Sequence, residues 1–140
     1  MISATLLATS CKKEDDPVSA VPEITFETIS PGTVREFRDS VVITIGYKDG
    51  DGDLGVNNST ASNAFVTDSR NNLVYSFRIR QLAPENAGVT IQGKLDIVVP
   101  AVALSSNTAT SESATFSVYI KDRAGNSSNT ITTGAVTVVP

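Results

Sequence analysis

Apolar and polar residues alternate with a period of two through most of this chain, and that alternation restricts the fold more than any other feature. Val41, Ile43, Ile45 and Tyr47 share one side of an extended segment, with Thr44, Gly46 and Lys48 on the other. Leu73, Tyr75, Phe77 and Ile79 alternate against Ser76, Arg78 and Arg80. Phe116, Val118 and Ile120 do the same against Thr115, Ser117, Tyr119 and Lys121. One apolar and one polar face per segment is what antiparallel strands need when one side rests on a core and the other meets water.

The alternation predicts seven strands, over 23–29, 39–48, 64–68, 73–81, 89–99, 113–122 and 129–139. Gly, Pro, Asn, Asp and Ser clusters separate them, with a hairpin turn at Ser69-Arg70-Asn71-Asn72 and longer loops at 83–88 and 105–112. No segment sustains a helical period. The expected fold is all-β, a seven-stranded antiparallel sandwich of the immunoglobulin or fibronectin kind over residues 23–140.

Composition narrows the function. At 140 residues the chain has room for one domain, and 40% hydrophobic residues suffice for one core. A net charge of −4 speaks against a nucleic-acid surface. The sequence has no histidine, which removes the commonest general base and a frequent zinc ligand. Ser and Thr are abundant, yet no triad can be built without histidine and nothing local marks a Ser–Lys dyad. A non-enzymatic protein is therefore expected. Buried carboxylates converging in a cleft would be the mark of an enzyme instead.

The N-terminal stretch supplies an expected location. Residues 2–10 are apolar or small, Cys11 is the chain's only cysteine, and Lys12-Lys13-Glu14-Asp15-Asp16 follows. An apolar run, small residues, a cysteine and a charged cluster read as a lipoprotein processing site, with 1–10 as signal segment and 11–22 as lipidated cysteine and flexible tether. No lysine or arginine precedes the apolar run, which points to a start upstream. No run approaches the ~20 apolar residues of a spanning helix, so a covalent lipid on Cys11 is the expected anchor.

Asp49-Gly50-Asp51-Gly52-Asp53-Leu54-Gly55 is the one stretch that can carry site chemistry. Carboxylates at alternate positions, spaced by glycines, can curl around a hard cation such as calcium. The same residues can equally form a turn whose carboxylates cap local amides. An EF-hand is excluded, because the sixth loop position is Leu54 and the twelfth Thr60. In the expected sandwich, the loop after the second strand and the loop at 122–126 share one pole. Asp122 and Asn126 are then candidates to join Asp49, Asp51 and Asp53 as metal ligands, while Arg123 can instead neutralise the carboxylates.

The Asp-Gly-Asp-Gly-Asp-Leu-Gly run, the late Lys121-Asp122-Arg123-Ala124-Gly125-Asn126 segment and the Cys11 region together resemble surface lipoproteins of the Bacteroidetes with an immunoglobulin-like domain. The resemblance implies an outer-membrane lipoprotein, and Lys13-Glu14-Asp15 fits the pattern associated there with display on the cell surface. The expected role is a monomeric binding or spacer module, with a protein or glycan partner. The alternative is an accessory subunit of a surface glycan-capture or import complex. Arg70, Arg78 and Arg80 are a candidate basic patch or a solvated face. Glu85 and Asp96 read as solvated charges rather than a catalytic pair. Tyr47, Tyr75 and Phe77 are assigned to the core, and Tyr119 to the opposite face as a candidate sugar-stacking ring.

Overall fold

The computed structural model describes residues 16–140. The lipoprotein features at 1–15, Cys11 and Lys13-Glu14-Asp15 included, lie outside the described residues. Those described are all-β, with no helix and so none long and apolar enough to cross a membrane.

The strongest alternation, in 41–49, becomes the centre of the first sheet. Here β3 (Val41–Asp49) is flanked antiparallel by β1 (Glu23–Ser30) and β6 (Ile91–Val99). Val41, Ile43 and Ile45 are fully buried. A four-stranded sheet takes the order β5 (Val74–Phe77), β4 (Ala64–Asp68), β8 (Phe116–Ile120), β9 (Ile131–Thr132). A small third sheet joins β2 (Thr33–Arg35), β10 (Val136–Val139) and β7 (Glu112–Ala114). Apolar side chains from all three sheets, among them Ile43, Val66, Phe116 and Val138, form one core cluster. The arrangement is consistent with a β-sandwich.

Ten strands replace the seven expected among these residues, for local reasons. The expected strand 113–122 breaks at Thr115, whose carbonyl accepts from the Ser69 N–H. Its first part pairs with β10 and its second with β4 and β9. The expected strand 129–139 breaks where the Thr133 hydroxyl accepts from the Phe116 N–H at 3.0 Å and donates to the Gly134 carbonyl. In the first segment Ala114, Phe116, Val118 and Ile120 stay buried in one unbroken alternation across the change of sheet, whereas in the second the inward positions slip by one, from Thr133 to Val136 and Val138. The third addition, β2, follows the turn at Pro31-Gly32 and pairs parallel with β10, so the pairing is not wholly antiparallel.

Two asparagines, Asn63 buried and Asn129 exposed, stand in for strand partners. Past Phe77, where the sequence predicted a strand continuing to residue 81, the Asn63 side chain accepts from the Ile79 N–H at 2.6 Å and donates to its carbonyl at 3.2 Å. Asn129 does the same for Ile24, accepting and donating at 2.8 Å each. That second contact ties the β1 edge of the first sheet to the chain leading into β9, at the edge of the four-stranded sheet.

Candidate metal centre

The Asp-Gly loop leaves the end of β3 and is anchored by its one apolar residue. Leu54 is fully buried in the core, and its N–H donates to Asp49 Oδ2 at 3.0 Å. Asp49, Asp51 and Asp53 each place one carboxylate oxygen within 4.8 Å of the others. One side-chain oxygen of each, Oδ1 in all three cases, is buried and has no hydrogen-bond partner. Asp49 is entirely shielded from solvent.

Three adjacent carboxylates, each with a buried oxygen that lacks a partner, are electrostatically unfavourable. Burial, followed by the neighbouring Asp51 and Asp53 carboxylates, pushes the Asp49 carboxyl up to about 6. Burial and the charges of Asp122 and Asp51 also raise Asp53, against the Ala124 N–H and the Arg123 charge, which lower it. An orphaned buried acceptor costs about 1–3 kcal/mol, more when charged. A cation removes that cost for all three at once. The donors are hard oxygens, with no sulfur or imidazole among them, so the cluster can hold a hard metal ion.

The 122–126 loop does pack on this loop. Leu54 and Asp122 form an isolated bridge, the Arg123 N–H donates to the Asp53 carbonyl, and the Ala124 N–H donates to Asp53 Oδ2 at 3.2 Å. Asp122, however, spends its carboxylate on its own turn, with Oδ1 accepting from the Asn126 N–H at 2.7 Å and Oδ2 from Asn126 Nδ2 at 2.8 Å. Asp122 is not in the group of converging carboxylates. Arg123 directs its guanidinium to the Gly55 carbonyl at 2.7 Å, and among the described residues no ion pair joins it to the cluster. Within the cluster, Oδ2 of Asp49 and of Asp53 each caps an N–H, while Oδ1 of all three aspartates has no hydrogen-bond partner.

The glycines of the loop serve close approach as well as turning. A Cβ on Gly50 would collide with the Val18 and Ser19 carbonyls, one on Gly52 with the Val89 carbonyl, and one on Gly55 with Arg80. Gly52 and Gly55 also have left-handed backbone, at φ 71° and 87°. Three outer segments therefore press directly on the loop. A groove of about 530 Å³ beside it is lined by Asp51, Asp53, Glu85, Asn86 and Arg123, among others.

The other sequence candidates fall elsewhere. Arg70 does not belong to a basic patch: its Nε donates to Asp68 Oδ1 at 3.0 Å and its Nη1 to Glu112 Oε2 at 2.7 Å, with all three groups largely buried. Its neighbours in sequence misled, since the ion pair is built from the hairpin turn and β7. Asp96 accepts from the Thr44 hydroxyl at 2.6 Å, away from Glu85. Leu73 is about half exposed. Tyr119 stacks on Phe65, with ring centroids 4.9 Å apart, and Lys121 lies over the Phe65 ring.

Scans against protein-family models, curated proteins and solved structures find no match to this chain.

Proposed function

We propose that this protein is a non-enzymatic cell-envelope lipoprotein, a binding or spacer domain held to the outer membrane through a lipid on Cys11 and braced by calcium at Asp49, Asp51 and Asp53. The three free Oδ1 atoms carry the calcium reading. Calcium takes six to eight oxygens, so backbone carbonyls or water complete the shell around these three. Asp122 and Asn126 support the site by holding the adjoining turn. The chain enters β1 at Glu23, opposite Lys48, so its tether reaches the domain at the cation pole. A domain anchored through Cys11 has this pole nearest the membrane and presents its opposite end outward.

The converging carboxylates do not favour an enzyme. A general acid must reach its substrate, whereas Asp49 is fully shielded and the free oxygens of Asp51 and Asp53 are buried.

Thermal melting with calcium and with chelator tests the site. A ligand at a hundred times its dissociation constant adds about 2.7 kcal/mol, a rise of roughly 5–10 °C for a domain of this size. No shift at millimolar calcium refutes it. Fractionation of the Cys11→Ala variant tests the anchor: the variant is expected in the soluble fraction, and unchanged membrane association refutes lipidation.

A further inference from the structure

The two sides of this fold are closed differently. On one side Asn129 stitches the β1 edge to the chain entering β9 through two hydrogen bonds. On the other side, among the described residues, β6 pairs only with β3 and β5 pairs only with β4. Between the β6 edge and the chain that continues past β5 runs an apolar groove of about 360 Å³, lined by Phe77, Ile79, Leu82, Leu95 and Ile97. Arg78, Arg80 and Asp96 line it as well.

Long free edges are normally guarded by charged side chains. Those on β6 are turned back over their own sheet. Lys94 Nζ reaches Glu27 Oε2 at 3.0 Å, passing the position where Gly46 has no side chain, and Asp96 is held by Thr44. The nine-residue β6 edge is therefore left open to main-chain pairing. Across the groove, Arg78 donates to the Asn57 carbonyl, while Arg80 is exposed and has no ion-pair partner among the described residues.

We propose that the groove between β6 and residues 77–82 binds an extended strand of a partner protein, apolar at alternate positions and bearing carboxylates that face Arg78 and Arg80. Main-chain hydrogen bonds to β6 supply affinity, alternate apolar side chains fill the groove, and the arginines select charge. This rests on the binding-module reading above and names its partner class.

The test uses a fluorescein-labelled ten-residue peptide of alternating valine and glutamate, and its lysine counterpart, added to the intact protein. Expected are saturable anisotropy for the glutamate peptide, at least tenfold weaker binding of the lysine peptide, and slowed hydrogen exchange confined to β6 and residues 77–82. Arg80→Glu, a surface change that leaves the fold intact, is expected to reverse the preference. The proposal is overturned by absent binding, by equal binding of both peptides, or by protection elsewhere. Concentration-dependent dimerisation that protects β6 without peptide also overturns it, in favour of a second copy. Any of these results with the calcium shift intact removes the strand site and leaves the cation site standing.

Discussion

The Gly50 N–H donates to the Ser19 carbonyl at 2.8 Å, which fastens the segment ahead of the first strand to the loop that carries the three aspartates. Gly50 lacks the left-handed backbone of Gly52 and Gly55, so its missing side chain is explained by contact alone: a Cβ there would strike the Val18 and Ser19 carbonyls. Gly50→Ala is therefore expected to release residues 16–22 while preserving the core. Limited proteolysis checks this. Cleavage within 16–22 should accelerate at least severalfold in the variant, and an unchanged rate would show that the contact does not hold the segment.

The same loop sets an unusual pH dependence. Native Asp49 keeps its proton up to about pH 6, whereas an unfolded aspartate loses it near 3.8. Between those values the native state binds more protons, so in chelator stability falls as pH rises, by at most about 1.4 kcal/mol per pH unit for this group. Asp53, also raised, adds to the same trend. Calcium needs the ionised form, so the calcium-induced rise in melting temperature grows through the same window. Melting curves at intervals between about pH 4 and 7, with and without calcium, check both slopes.

Asn129 offers a test of how the sandwich is closed. Its side chain satisfies both the N–H and the carbonyl of Ile24. Asn129→Ala removes both bonds and strands two strand-edge groups, at a cost of about 2–4 kcal/mol. Asn129→Asp keeps the acceptor and loses the donor, and it should fall between. Chemical denaturation ranks the three proteins. Equal stability of wild type and alanine variant would mean that water replaces the stitch.

The Arg70 pair makes an independent prediction about the opposite end. Asp68 is nearly fully buried and relies on Arg70, which also reaches Glu112 and the Ala103 carbonyl. Arg70→Met leaves the Asp68 carboxylate buried without its cation, a loss of about 3–5 kcal/mol. The double variant Arg70→Met with Asp68→Leu should recover much of it. Additive losses in that cycle would refute the pairing.

Strand content was legible because Val41, Ile43 and Ile45 must face one core, and period two leaves no other solution. The breaks at Thr115 and at Thr133–Ala135 were not: Ala114, Phe116, Val118 and Ile120 keep one phase across the first, and the slip from Thr133 to Val136 at the second lies inside a Thr- and Val-rich run that reads as one strand. Partner exchange is decided by what lies opposite, which one chain's pattern does not record. Asn63 and Asn129 were missed for a related reason: an asparagine that completes a ladder looks in sequence like any loop asparagine. The aspartate cluster was legible from its every-other spacing. The inward turn of the Asp122 carboxylate was not, since Asn126 suits both a metal ligand and a local cap.

Asp49→Asn separates the electrostatic account of the cluster from a merely structural one. The amide keeps an oxygen for the Leu54 N–H and places its N–H donors toward oxygens that otherwise lack partners. It also removes the most deeply buried of three adjacent charges. The variant should therefore be more stable than wild type in chelator near neutral pH, by on the order of 1–3 kcal/mol, and its decline with rising pH should flatten. Its response to calcium should largely vanish, because the shell has lost an anionic ligand. A variant that is less stable in chelator yet still gains the wild-type calcium shift would place the cation elsewhere and reduce Asp49 to a cap for Leu54.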